Sequence, residues 1–179
     1  MAAIGFVGAS GLMGHGMARH LLAKGHDLAI TVHRNEERVA DLLAAGAVRV
    51  ADAAALARGR ELVFVCVTGS PQVEAVVAGP QGLLAGATPG LVIVDCSTSE
   101  PESTTRLREQ CAGRGVAFVD APLARTPVEA EQGRLNVMVG AEPAMFGRLE
   151  PLLRCFAENV LHVGGPGAGH TIKLLNNFI

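Results

Sequence analysis

A chain of 179 residues, 49% hydrophobic and 18% charged with a formal net charge of -2, is long enough to bury a core of ordinary domain size and has no electrostatic bias toward nucleic acid or an anionic membrane. Its 15 Lys and Arg are scattered and its six aromatic residues are all Phe, which argues against a base-stacking platform. Cys66, Cys96, Cys111 and Cys155 lack C-x-x-C spacing and the six histidines lack an H-E-x-x-H pairing, so free buried thiols are expected, and no metal. No apolar run approaches the length of a membrane span, and the N-terminus enters an apolar strand without a charged leader, so a cytoplasmic protein is expected.

The chain opens on an apolar run, Ile4, Phe6 and Val7, that ends in Gly8; from Met13 the apolar residues recur at helical spacing through Met17, Leu21 and Leu22. This predicts strand, glycine turn, helix. Such a turn lets a phosphate approach the main chain, and the helix it opens offers unpaired N–H groups and a positive dipole end to a pyrophosphate. Gly8, Gly11 and Gly14 read G-x-x-G-x-x-G, one residue longer than the common G-x-G-x-x-G. Gly8, Ser10, Gly11, Leu12, Met13 and Gly14 are the candidate phosphate-binding residues.

Gly25 closes the helix, and residues 27–32 read as a second strand. A unit that takes NAD places Asp or Glu at the end of this strand, against the ribose hydroxyls. Here the strand runs into His33-Arg34-Asn35. The guanidinium of Arg34 suits a 2′-phosphate, so NADP is favoured, with NAD possible. A helix over 36–45, a short strand over 48–50 and a short helix over 53–57 follow. Residues 61–67 form a continuous apolar run of strand length, ending in Thr68-Gly69-Ser70-Pro71, read as a loop. Ligands of doubly wound sheets lie at that strand edge, which makes Val67 and Thr68 cofactor neighbours.

Residues 91–95 repeat the pattern, and Ser97 or Thr98 at the same edge can bond the nicotinamide half, while Ser99 or a neighbour caps the helix near Pro101. A helix over 102–111, strands over 116–120 and 135–139, a helix over 144–153 and a strand over 160–163 complete an α/β pattern with a doubly wound, mostly parallel sheet. A glycine-rich turn, 164–170, then leads into a helix on which Lys173 and Asn177 share a face. Removing hydride from a carbinol carbon requires taking the hydroxyl proton. A lysine desolvated beside a cofactor can take it or return it, with Asn177 orienting the hydroxyl.

Taken together, IGFVGASGLMGHGMARHLLAKGH, the tip HRN, DCST from Asp95, DAP from Asp120, LNVMVG from Leu135 and HVGGPGAGHTIKLLNN from His162 resemble the N-terminal domain of the β-hydroxyacid dehydrogenases. That group includes 3-hydroxyisobutyrate dehydrogenase, tartronate semialdehyde reductase and, more distantly, 6-phosphogluconate dehydrogenase. The resemblance implies a Rossmann-like NADP-binding domain over residues 1–165 and, over 166–179, a turn and the start of an interdomain helix. It implies Lys173 as general acid/base, Asn177 as a substrate ligand and the hydroxyls of 95–98 near the nicotinamide. The substrate would be a small hydroxyacid or carbonyl compound. The family's C-terminal all-helical domain, through which a homo-oligomer forms, is absent from this chain.

Two departures stand out. Ala9-Ser10 occupy the place of one family residue, and the family's substrate loop D-A-P-V-S-G-G is here Asp120-Ala121-Pro122-Leu123-Ala124-Arg125-Thr126. Ala124, Arg125 and Thr126 are the substrate-loop candidates, with the Arg125 guanidinium and Thr126 hydroxyl as an anion receptor. The function expected is an NADP-preferring oxidoreductase interconverting a β-hydroxyacid and its aldehyde or ketone. Imine reduction on the same fold and a non-catalytic dinucleotide-binding module are the alternatives, and Lys173 argues against both.

Overall fold

The computed structural model describes residues 1–33 and 35–178. Its centre is three strands, β1 (Ala3–Val7), β4 (Leu62–Val65) and β5 (Val92–Asp95). Side chains alternate between the faces of a strand. Ile4, Phe6, Leu62, Phe64, Val92 and Val94 therefore enter one apolar layer, while Val7, Val63, Val65 and Ile93 enter the other. A strand apolar on both faces belongs inside a parallel sheet covered on both sides.

With β2 (Asp27–Thr31), β3 (Val48–Val50) and β6 (Ala117–Asp120), the parallel strands run in the order β3-β2-β1-β4-β5-β6. Phe6 lies opposite Ile30 on one side and Phe64 on the other. On one face α1 (Gly14–Ala23), α2 (Ala40–Ala44) and α8 (Pro143–Leu153) contribute Met17, Leu21, Leu42, Leu149 and Leu153. On the other, α3 (Ala53–Ala57), α4 (Ser70–Ala78), α5 (Leu83–Gly86) and α6 (Pro101–Ala112) contribute Leu56, Val73, Val77, Leu83 and Leu107. Phe64 is the hinge of the first layer, tilted against Phe6 at 6.0 Å and edge-on to Phe156 at 5.6 Å.

The sheet is the doubly wound, mostly parallel one that the sequence predicts, with local differences. The helix expected over 36–45 is a 3-10 turn, Glu36–Val39, entered through Asn35 in the left-handed region with φ 63, followed by α2; the break falls at Val39, whose φ of -121 and ψ of 9 leave the helical region. The supposed loop after Thr68 is already helix α4, with Pro71 in its first turn, where a missing N–H costs nothing. Strand–helix alternation also breaks after β6. The two-residue link Ala121-Pro122 is too short for a crossover, so β7 (Leu123–Ala124) continues the line of β6, and α7 (Pro127–Glu131) turns the chain back as β8 (Leu135–Gly140). β8 is antiparallel to β6 and β7, and β9 (Ala157–Gly164) pairs parallel with β8.

The last helix, α9 (Ala168–Phe178), packs on β8, β9, β6 and α6. All four cysteines are free, but only Cys96 and Cys111 are buried as expected, while Cys66 and Cys155 are half-buried; desolvation pushes the Cys66 and Cys111 thiols up to about 12, which makes them inert at neutral pH. Among the described residues no helix is long and apolar enough to cross a membrane.

Candidate active site

Strand order reverses at β1: the chain leaves it toward β2 on one side and crosses to β4 on the other, which opens a crevice at the carboxyl edge. The glycine turn sits there. Gly8 has φ +96, and a Cβ on it would stand 1.9 Å from the Cys66 carbonyl oxygen; only glycine fits. A Cβ on Gly14 would stand 2.2 Å from the Gly8 carbonyl oxygen, so Gly14 lets α1 seat directly on the strand end. The extra residue is absorbed in a turn closed by the Gly11 N–H donating to the Gly8 carbonyl at 2.9 Å, and the first helical bond runs from the His15 N–H to the Gly11 carbonyl at 3.1 Å. Among the described residues the N–H groups of Leu12, Met13 and Gly14 find no main-chain acceptor, as a helix start requires.

A cleft of about 620 Å³ lies in front of them. Gly8, Ser10 and Gly11 to Gly14 form one wall, Thr31 and His33 come from the tip of β2, and Cys66, Val67 and Thr68 follow β4. Gln72, Ala75 and Val76 of α4 close it. Those three lie on a helix that a loop over Thr68-Gly69-Ser70-Pro71 does not predict. Main-chain donors at a helix N-terminus beside an apolar slot are the donor set a dinucleotide needs. His33 and Thr68 stand exposed at the rim, while Asn35 lies outside the cleft at the start of the 3-10 turn. Arg34, the expected 2′-phosphate ligand, lies outside the described residues. Arg38, not singled out in the sequence, donates from Nη1 to the Ser10 carbonyl at 3.3 Å, which brings a guanidinium to the glycine turn.

At the far end the edge is built from buried side chains. Ser97 is buried; its Oγ accepts the Val67 N–H at 3.0 Å and its N–H donates to Asp95 Oδ1 at 2.9 Å. Ser99 is no helix cap: its hydroxyl donates to Asp95 Oδ2 at 2.7 Å, and the Glu100 N–H goes to Ser70 Oγ at 2.8 Å instead. Thr98 is exposed at the same edge. Asp120, at the end of β6, accepts the N–H groups of Gly167 at 2.7 Å and His170 at 3.0 Å, and so caps α9 from another element. The fit is close enough that a Cβ on Gly169 would stand 2.8 Å from Asp120 Oδ2. Lys173 is half-buried one turn further along, and Asn177 is exposed four residues beyond it.

The substrate-loop residues are differently employed. Ala124 pairs with Asn136 across β7 and β8. Arg125 has φ 83, and its Nη1 donates to the Arg134 carbonyl at 2.6 Å and pairs with Glu158, whose carboxyl that hydrogen bond holds below its ordinary value. Thr126 caps α7: its hydroxyl accepts the Val128 N–H at 3.3 Å, and its own N–H goes to Glu129 at 3.0 Å. Both side chains therefore build the β7–α7–β8 corner, because carboxylates local to that corner reach them first. The structure does not bring them together as an anion receptor.

The fold and cleft are those of a Rossmann-like NAD(P)-binding domain. Residues 3–164 match the family described as the NAD binding domain of 6-phosphogluconate dehydrogenase, and the chain belongs to it. It is 36% identical to 2-(hydroxymethyl)glutarate dehydrogenase of Eubacterium barkeri, over 98% of this chain and 58% of that protein. It is 37% identical to 2-hydroxy-3-oxopropionate reductase of Escherichia coli strain K12, over 98% of this chain and 59% of that protein. The chain thus spans less than two thirds of the length of these curated relatives. The solved structure of Psf3 in complex with NADP+ and 2-OPP superposes with a TM-score of 0.88 at 35% identity, covering 97% of this chain and 61% of that one.

Proposed function

We propose that this chain is the cofactor-binding part of an NADP-preferring oxidoreductase that interconverts a small β-hydroxyacid and its aldehyde or ketone. Residues 1–165 hold the dinucleotide, and 166–179 begin the helix leading to a further helical domain that closes over substrate and builds a homo-oligomer. The observation that carries the reading is the place of Lys173: it rides on a helix capped by Asp120 at the same carboxyl edge as the glycine-turn cleft. The two relatives named above support the substrate class, since their names combine a carboxylate with a hydroxymethyl group in one and an oxo group in the other.

When bound, the nicotinamide supplies or accepts the hydride. The chain's own residues do the rest. The N–H groups of Leu12, Met13 and Gly14 hold the pyrophosphate. Arg34, joined by Arg38, takes the 2′-phosphate, at a strand tip that carries no carboxylate to repel it. Ser97 and Thr98 line the nicotinamide end, Lys173 Nζ carries the substrate hydroxyl proton, and Asn177 orients that hydroxyl.

Titration with NADPH and NADH, read by fluorescence, tests the cofactor half. NADPH is expected to bind more tightly, and Arg34→Ala to weaken NADPH by about tenfold or more while sparing NADH, the loss of one charge-assisted hydrogen bond. Equal affinities in the unaltered chain overturn the NADP preference, and no binding of either overturns the cofactor reading. This chain alone is expected to bind nucleotide without turning substrate over, so the chemistry is tested in the enzyme carrying the helical domain, where Lys173→Ala is expected to lower kcat for semialdehyde reduction by about 10²- to 10⁴-fold with nucleotide affinity unchanged.

A further inference from the structure

His170 is a fully buried titratable side chain for which the proton transfer at Lys173 has no use. Its ring is held at both nitrogens by other elements. Nε2 stands 3.2 Å from the Ser97 carbonyl oxygen and 3.6 Å from Asp95 Oδ2, and Nδ1 stands 2.7 Å from the Thr104 hydroxyl. A carbonyl only accepts, so Nε2 carries the proton and the Thr104 hydroxyl donates to Nδ1. The Glu100 carbonyl, 3.1 Å from that hydroxyl, is not stranded by this choice, because it already accepts the Thr104 backbone N–H at 3.0 Å. A neutral ring thus satisfies every partner. The main-chain N–H of the same residue goes to Asp120.

One residue in the first turn of α9 is therefore fastened to the ends of β5 and β6 and to α6. Asp120 holds the main chain at the helix start through the N–H groups of Gly167 and His170, whereas the imidazole holds a side chain of the helix. The imidazole alone reaches Ser97, whose own hydroxyl supports Val67 in the cleft wall. Two successive hydrogen-bonded contacts, Val67 to Ser97 and Ser97 to His170, thus run from the cofactor cleft to the lysine-bearing helix. Lys173 follows three residues later, on the same face.

We propose that His170 is a positioning residue that sets the rotation of α9 over the sheet edge and so places Lys173 Nζ at the nicotinamide end of the cleft; this rests on the reading of Lys173 given above. The ring exchanges no proton with substrate. Its contribution is geometric, and a displacement of about 1 Å in such a group costs roughly 10²-fold in rate.

The chain contains two lysines, Lys24 and Lys173. Isotope-labelled reductive methylation therefore gives two lysine NMR signals, assigned with Lys24→Arg. Added NADP+ is expected to shift the Lys173 signal. In His170→Leu the signal of the free protein moves, and the NADP+-induced shift falls to less than about half while the NADP+ Kd changes by less than about threefold, since the phosphate end is untouched. His170→Gln, whose amide can donate to Ser97 and accept from Thr104, restores the shift; a role in stability alone would leave the signal of any folded variant in place. Should His170→Leu fail to fold, Thr104→Val removes the Nδ1 partner and is read the same way. An unchanged Lys173 signal in folded His170→Leu or Thr104→Val overturns the proposal. If NADP+ binds and leaves Lys173 unmoved in the unaltered chain, the catalytic reading of Lys173 fails instead, and the free-protein signal still decides whether His170 positions the helix.

Discussion

At the phosphate end of the cleft the working surface is main chain: among the described residues three N–H groups at the start of α1 have no main-chain acceptor, and Gly8 and Gly14 leave no room for a side chain against the Cys66 and Gly8 carbonyls. At the opposite end it is buried side chains, with Asp95, Ser97, Asp120 and His170 all nearly inaccessible; Ser97, Asp120 and His170 are satisfied by partners from other elements, and Asp95 by Ser97 and Ser99 just beyond its own strand. The first end fails when an atom is added, the second when one is removed. A surface made of backbone needs emptiness around it, whereas a surface made of buried polar groups needs every acceptor its donors were folded against.

The sharpest way to break that contrast is Asp120→Ala, which strands the buried N–H of His170 and the half-buried N–H of Gly167. A loss of about 4 kcal/mol in unfolding free energy is expected at one to three per stranded donor. It is measured by urea denaturation, and NADPH affinity in the folded fraction should be nearly unchanged. Loss of nucleotide binding at full stability would reverse the roles of the two ends. Gly8→Ala is the mirror experiment. Its φ of +96 and the overlap with the Cys66 carbonyl predict about 3 kcal/mol of destabilisation together with at least tenfold weaker NADPH binding.

The smallest effect sharpens the picture at the glycine turn. Burial lowers the proton affinity of His15, but hydrogen bonds with Asp41 and Glu131 outweigh it and raise the ring above its ordinary 6.5. The hydrogen bond from His15 in turn lowers Asp41 below 3.8. A raised histidine stabilises fully below pH 6.5 and loses that contribution as pH rises through its folded value. A lowered aspartate stabilises above pH 3.8 and loses its contribution as pH falls through its folded value. The cluster therefore contributes most between those limits. Solvent screening of these largely exposed groups reduces it to about 0.5 kcal/mol. Urea midpoints at mildly acid and mildly alkaline pH should show that decline, and His15→Ala should abolish it.

The glycine turn, the apolar runs of β1, β4 and β5 and the helix α9 after the second glycine-rich turn are legible because each depends on neighbours within a few positions. Two helix starts were legible and passed over: Pro71 at the head of α4, and the Thr126-x-x-Glu129 capping box with Pro127 at the head of α7. Arg125 was not legible in the same sense. Nothing near it in sequence announces Glu158, which reaches it only because β9 lies beside β8.

By itself, then, the sequence determined the layered α/β fold, the glycine turn that opens α1 and the residue types available for proton transfer, since period-two and period-3.6 patterns and local turn chemistry act over a few residues. Tertiary structure alone decided that Asp120 caps a helix beginning 48 residues later, that His170 meets Ser97 across 73 positions and that Arg125, at the β7–α7–β8 corner, pairs with Glu158 of β9. Those pairings depend on which buried donor each folded strand edge leaves to be satisfied, and no local pattern carries that choice.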